Sequence, residues 1–313
     1  MNNEYLPKNK KYRELLHDAE NSKSAGMYKD VWNRLKKDKA SMVALTLIIF
    51  FILIAFLGPL LPELDPEAIS SRRVIDGKNV YPPFAPSGTN WMGTDQLGRD
   101  ILSRVVYGIR TSLIVGVVAR GLTMIVGVTL GIIAAYYGGW VDMVLMRLTD
   151  VFLAFPVMLL AMLITLVLGP SLFTVCVALV IVGWPDVARL IRGQAISLKN
   201  KDYVKASRAL GASDFWIIVK QLLPNCLSLV IVSFSMGIPG AIMYESGLSF
   251  FGFGIRPPAP SLGNIIADAR GYMTICPWYI LFPGLALVII VVAFNVLGDG
   301  LNDALDPYAK NRK

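Results

Sequence analysis

Histidine occurs once in this 313-residue chain, as His17, and cysteine three times, as Cys176, Cys226 and Cys276. Residues so scattered exclude a tetrahedral metal set and a Cys/His nucleophile pair, and the cysteines read as packing residues. The sequence has no GxxxxGK[ST] phosphate loop, no HExxH and no GxSxG. The expectation is therefore no ATP site, no metal and no nucleophile–base pair for an enzyme working inside a membrane. Charge is also scarce. Only 17% of residues are Asp, Glu, Lys or Arg, against 55% hydrophobic, and the mean hydropathy is +0.56. That balance is too apolar for an ordinary soluble domain and points to a multi-pass membrane protein. The net charge of +8 invites a nucleic-acid reading, but long uncharged runs separate the basic clusters. The expected partner of this chemistry is a lipid bilayer, with no nucleic acid.

What is present is a series of long apolar runs. A spanning helix needs about 20 apolar residues to cross a core about 30 Å thick. Residues 41–62 give a first span, after a tail over 1–40 that carries ten Lys/Arg. That tail is too long and polar for a cleaved signal peptide. Residues 63–110 form an external segment, and 111–137 a second span broken by one charge, Arg120. The run 151–185 has no charge and as one helix would be about 50 Å long, too long for a bilayer. Its "LGPSLF" (168–173) is a turn signal that splits it into spans three and four. Residues 221–244 and 272–297 give spans five and six. The sequence thus predicts an all-α fold of six transmembrane helices, with a five-helix core over 111–300 and a C-terminal segment 301–313. An even number of spans puts both termini on one side. The basic tail, the 192–226 loop with its six Lys/Arg, and the closing "YAKNRK" make that side cytoplasmic.

The 192–226 loop is amphipathic where a plain connection would be polar. "KASRALGASDFWIIVKQLLPN" (205–225) reads as two short helices. Asp202 is placed to cap the first, and Gly211 stands at the C′ position that ends it. Ser213 is placed to cap the second, with Asp214 favourable near its positive end. Phe215, Ile218, Val219 and Leu222 then fall at i, i+3, i+4 and i+7, an apolar stripe. Two readings fit: a helix lying on anionic headgroups, or a helix seated in the groove of a soluble partner.

The residues themselves resemble a known pattern. Lys205-Ala206-Ser207, then Gly211-Ala212, then Leu222-Leu223-Pro224 are similar to the cytoplasmic "EAA" loop of ABC-importer permeases. Lys205 stands where that pattern has Glu, and Ser207 where it has the second Ala. "NWMGTDQLGRDILSRVVYGIRTSL" (90–113), "YYGGWVD" (136–142), "DVFLAFPVMLL" (150–160), "GLSFFGFGIRPPAPSLGNII" (247–266) and "NVLGDGLNDALDP" (295–307) resemble the dipeptide/oligopeptide subfamily, C-type subunit. The resemblance covers the chain from about residue 30 onward. It implies an ABC importer permease fold in which Lys205, Ala206, Ser207, Gly211, Ala212, Phe215, Ile218, Leu222 and Pro224 belong to a coupling helix docked on an ATPase. It also implies a homologous second permease subunit, two ATPase subunits that hold ATP and Mg, an external solute-binding protein, and a bacterial-type inner or plasma membrane. The implied function is import of dipeptides or oligopeptides. The same scaffold importing nickel or glutathione is the alternative, and a passive channel is the alternative of another class.

Three further features leave two readings each. Leu97, Ile101 and Val105 lie four apart, on one face of a helix capped by Thr94 or Asp95. This helix either lies in the outer interface or lines the pathway mouth. Proline-rich "RPPAPSLGN" (256–264) forms an external loop. Either Arg256, Pro257 and Pro258 touch the binding protein, or the loop only reverses the chain. Arg120 falls about 13 Å into the second span, near the bilayer centre. A charge there faces a wet pathway, meeting the carboxylate of a peptide, or is held in a structural ion pair or snorkels. Asp186 and Arg189, three apart, suit a local pair, and Glu245 reads as structural. Gly116, Gly121, Gly127 and Gly131 let helices approach closely.

Overall fold

The computed structural model describes residues 31–69, 73–75 and 78–305. Residues 31–35 are helical, and ten further α-helices follow. α1 (Lys39–Leu57) is the first span, extended by a 3₁₀ turn over Gly58–Leu60. α2 (Ile101–Tyr137) is 37 residues long, about 55 Å at the ordinary helical rise. α3 (Gly139–Leu153) and α4 (Val157–Leu168) come next, then α5 (Leu172–Lys199). The hairpin in the 192–226 loop consists of α6 (Asp202–Ala209) and the single turn α7 (Asp214–Ile217). α8 (Leu223–Phe250), the short α9 (Leu262–Ala269) and α10 (Pro277–Leu305) complete the chain. An antiparallel pair, β1 (Arg73–Ile75) with β2 (Lys78–Val80), decorates the segment between α1 and α2.

Five stretches are long and apolar enough to cross a membrane: 39–60, 101–137, 172–199, 214–250 and 277–305. The sixth candidate differs from the single run expected from residue 151 to the turn at 168. α3 and α4 pass the same test together but meet at 88°. Pro156 explains the break, because it has no N–H to continue the ladder and biases Phe155 away from the helical region. The expected turn at "LGPSLF" is present. Gly169 has φ +83°, and the Ser171 hydroxyl accepts from the Thr174 amide at 3.1 Å to start α5.

α2 is the axis of the bundle. Its glycines remove the side chains that would hold the neighbours off. A Cβ at Gly127 would lie 2.5 Å from Val187 Cβ, and one at Gly131 2.5 Å from the Ala188 carbonyl. One at Gly116 would lie 2.8 Å from Ile242. Gly121 is different, with its nearest atom 3.9 Å away. Around α2 the core forms three clusters: α1 and α10 with its first half, α4 and α5 with its middle, and the hairpin with its C-terminal end. Outward faces keep Phe50, Leu53, Val118, Leu163 and Val288 exposed, as lipid-facing helices require.

The helix expected in 63–110 differs. Residues 93–100 form a tight loop with positive φ at Gly93 and Gly98, a conformation that ends regular helix. Helix begins only at Ile101 and continues without interruption into the span. The cap is Asp100, whose carboxylate accepts from the Ser103 amide at 2.8 Å, in place of Thr94 or Asp95. Leu97 is therefore off the helix and half exposed, while Ile101 and Val105 are buried. The last helix also runs past residue 300 to Leu305, so the segment 301–313 starts inside it. Tail residues 1–30 and the closing 306–313 lie outside the described residues.

Candidate functional site

The hairpin is built by local chemistry. Lys201, in extended conformation, precedes α6, and Asp202 is its first residue rather than its cap. Asp202 instead lies 3.8 Å from Lys205 Nζ in an exposed ion pair, worth little in water. α6 ends in a Schellman turn. The Ala212 amide donates to the Ser207 carbonyl and the Gly211 amide to the Arg208 carbonyl, both at 3.0 Å. Gly211 has φ +83°, a conformation that costs most side chains about 1–2 kcal/mol. The Ser213 hydroxyl accepts from the Trp216 amide at 3.3 Å, starting α7 with Asp214 in its first turn. Gln221 Nε2 donates to Ser207 Oγ at 2.5 Å, which ties the two halves together.

The apolar stripe is divided between two faces. Leu222 is fully buried, Ile218 and Val219 are partly so, and Phe215 is 70% exposed. The buried face is Val204, Ile217 and Leu222, set against Met124, Val128, Ile132 and Ile191. The register slips because Ile218–Leu222 is a π turn, closed by the Leu223 amide on the Ile218 carbonyl. A five-residue bond inserts one residue and rotates the next turns of helix. Pro224, with no N–H for a four-residue bond, is the sequence signal that marks this place. On the outer face Leu210, Phe215 and Trp216 are exposed and belong to no core cluster.

A second constellation lies within the span region. Arg120, half-buried on α2, donates through Nη2 to the Ser233 carbonyl at 2.7 Å and the Ser233 hydroxyl at 2.9 Å. Its Nε has no partner, and it passes over Gly237, where any Cβ would collide with the guanidinium. Among the described residues Arg120 has no ion pair within 4.0 Å. It borders a cavity of about 180 Å³ lined by Thr123, Asp186, Gly240 and Tyr244 among others. Asp186 does not pair with Arg189. Arg189 Nη2 reaches Asp150 at 2.7 Å on α3 instead, and Arg192 clasps Asp142 with two nitrogens. These two contacts fasten α3 to α5. Asp186 is left facing the Arg120 cavity.

Two buried polar groups have partners that sequence reasoning does not give. Glu245, fully buried on α8, accepts from Ser112 Oγ at 3.1 Å and Ser249 Oγ at 2.8 Å. Ser261, which caps α9, donates to Ser249 Oγ at 3.3 Å, so one chain of hydroxyls joins α2, α8 and α9. At the start of α2, Asp95 takes Arg99 Nε at 2.6 Å and Arg104 Nε at 3.5 Å, while Arg104 Nη2 lies 3.8 Å from Asp268. Burial pushes the Asp268 carboxyl above its ordinary range, and Arg104 opposes that rise. Asp268, 164 residues from Arg104, gives no local signal of this contact. Arg256, Pro257 and Pro258 stand exposed between α8 and α9.

The chain is similar to known proteins. Residues 127–311 match the family described as binding-protein-dependent transport system inner membrane component. Residues 26–87 match the N-terminal TM domain of oligopeptide transport permease C. A dipeptide transport system permease protein of Alkalihalophilus pseudofirmus is 41% identical over 284 residues, 91% of each chain. An oligopeptide transport system permease protein of Bacillus subtilis is 38% identical over 93% of each. A glutathione transport system permease protein of Pectobacterium atrosepticum is 39% identical over 91% of this chain and 92% of that one. In fold, the chain is similar to a chain of the MetNI methionine ABC transporter in an inward-facing form. The TM-score is 0.54 and the identity 20%, over 66% of this chain and 98% of that one. With the six-span bundle and its amphipathic hairpin, these matches establish that the chain belongs to the binding-protein-dependent transport system inner membrane components, the multi-pass permease subunits of ABC importers.

Proposed function

We propose that this chain is the C-type permease subunit of an ATP-driven importer for dipeptides or oligopeptides and supplies half of the translocation pathway. The observation that carries the reading is the two-faced hairpin. One face packs on the C-terminal end of α2 and on α5. The other offers Leu210, Phe215 and Trp216 to solvent, an apolar surface suited to a protein groove. In this reading the hairpin is cytoplasmic, Lys205, Ala206, Ser207, Gly211 and Ala212 shape the docking element, and a separate ATPase pair holds ATP and Mg. This chain has no ATP site of its own. Both termini are cytoplasmic, a homologous permease completes the bundle, and Arg256, Pro257 and Pro258 face an external solute-binding protein.

Closure of the ATPases on ATP moves the hairpin and switches the bundle between inward and outward access. The cavity at Arg120, about 180 Å³, is below the roughly 300 Å³ at which ligand pockets begin. It therefore acts as one half of a path completed by the second permease. There Arg120 offers a guanidinium to the carboxylate of a passing peptide, as a charge inside a span commonly faces a wet route. Glutathione is itself a peptide, so the relative that carries it supports the same chemistry with a different cargo.

The test is energised uptake of a labelled tripeptide in cells with and without this chain, with glutathione and nickel uptake run alongside. Loss of peptide uptake is expected. Intact peptide uptake with lost glutathione or nickel uptake moves the cargo, and flux that persists without ATP makes the protein a channel.

A further inference from the structure

Tyr136 stands near the C-terminal end of α2, one residue before that helix stops, and its side chain is nearly sealed, with 2% exposure. Its hydroxyl donates to Asp214 Oδ1 at 2.5 Å. The Arg208 guanidinium lies 5.0 Å from the ring centre and Lys199 Nζ 5.8 Å. Lys199 also donates to the neighbouring Ala135 carbonyl at 3.2 Å. One ring thus gathers the ends of α2 and α5 and both halves of the hairpin, since Arg208 and Asp214 flank the Gly211 turn. The hairpin is also joined covalently at both ends, to α5 through residues 200–201 and forward to α8. The forward connection passes through the π turn 218–222 and Pro224, where ordinary helical hydrogen bonds are interrupted. α2, by contrast, is continuous from Tyr136 to Arg120, about 24 Å along its axis.

We propose that Tyr136 is the positioning residue through which displacement of the hairpin 202–217 is passed to α2, and so to the cavity at Arg120. The inference rests on the reading of the hairpin as the ATPase-docking element. It deepens that reading by naming the joint. The geometry gives the hydroxyl a separable part. Tyr136→Phe keeps the ring and its packing and removes the hydroxyl, and with it the bond to Asp214 and the polar contact with the Arg208 guanidinium.

The experiment uses the full transporter, reconstituted in vesicles with its binding protein, and reads three quantities. These are assembled complex, ATP hydrolysed per labelled tripeptide taken up, and the ATP-driven change in emission of a fluorophore on Val118→Cys, an exposed position of α2. For Tyr136→Phe we expect normal assembly, hydrolysis within about twofold, ATP per peptide raised about tenfold, and an α2 signal that no longer follows ATP. Asp214→Asn retains an acceptor oxygen and should keep the signal, whereas Asp214→Leu should reproduce the Phe variant. Unchanged ATP per peptide with an intact α2 signal overturns the joint. So does a loss of uptake that only tracks loss of assembled complex, because that is a structural role. Failure of the unmutated complex to hydrolyse ATP or to move α2 overturns the importer reading itself, and is seen before any variant is made.

Discussion

A guanidinium midway along an apolar span is expensive unless it faces protein or a polar cavity, and Arg120 has Ser233 on one side and a cavity on the other. Its charge is legible in sequence because it interrupts an uncharged run. Its partner is not, because Ser233 lies 113 residues away. Arg120→Gln keeps hydrogen-bonding capacity but removes the charge, so uptake should fall at least tenfold with the complex still assembled. Arg120→Lys should fall part of the way, since Lys is a point charge without the planar fork. Uptake and peptide affinity both unchanged in the Gln variant would end the substrate role. Glu245 shows the opposite limit. Read as a plain structural acid at the end of a span, it is the hub of serine hydroxyls from α2 and α8 and, through Ser249, of the α9 cap, which only the packing of three elements could reveal.

Among the elements, the hairpin separates two duties that the sequence stripe merges. Ile217 is fully buried and Phe215 largely exposed. Ile217→Ser should therefore weaken the fold, by about 2–4 kcal/mol for a lost aliphatic side chain and a stranded hydroxyl, seen as a lower Tm of the purified chain. Phe215→Ser should change stability by no more than about 0.5 kcal/mol, leaving Tm nearly unchanged, and reduce co-purification of the ATPase with this chain. Equal effects of the two on Tm would sink the two-faced reading. Gly211 tests the turn alone. No atom lies within 4 Å of an added Cβ, so substitution acts only through the positive φ. Gly211→Val should cost about 1–2 kcal/mol and uncouple hydrolysis from uptake, while Gly211→Asn, tolerant of that region, should stay close to the unmutated protein. The Gly and Ser signals of this element are legible in sequence because capping is local. The face assignment is not, because one π turn shifts the register.

For the whole molecule, close approach of α2 to α5 and α8 is the organising contact, and the glycines grade it. Gly131→Ala places a methyl 2.5 Å from the Ala188 carbonyl, a rigid backbone atom, whereas Gly121→Ala has 3.9 Å of room. The first should destabilise by about 1–3 kcal/mol through overpacking. The second should be neutral or slightly stabilising through helix propensity. Thermal unfolding of the two purified variants checks this, and similar Tm values would show that the α2–α5 seam is not tightly packed. In sequence all four glycines look alike. Which of them face a neighbour depends on how the helices are rotated against each other.

Composition and short-range geometry are enough to set the class of solvent that each segment meets. Apolar runs of membrane length, the break at Gly169-Pro170 and the signals at Ser213 and Gly211 are local properties, and the apolar runs and the family resemblance can be read from the chain alone, whereas the bend at Pro156 within the third run is not so read. Packing is needed for the rest: that the expected outer helix is continuous with the second span, that Arg189 seeks Asp150 instead of Asp186, and that one tyrosine collects the hairpin. Those choices are contacts between residues distant in sequence. Their energies exist only once helices are packed at a fixed rotation and depth, and no local pattern carries that information.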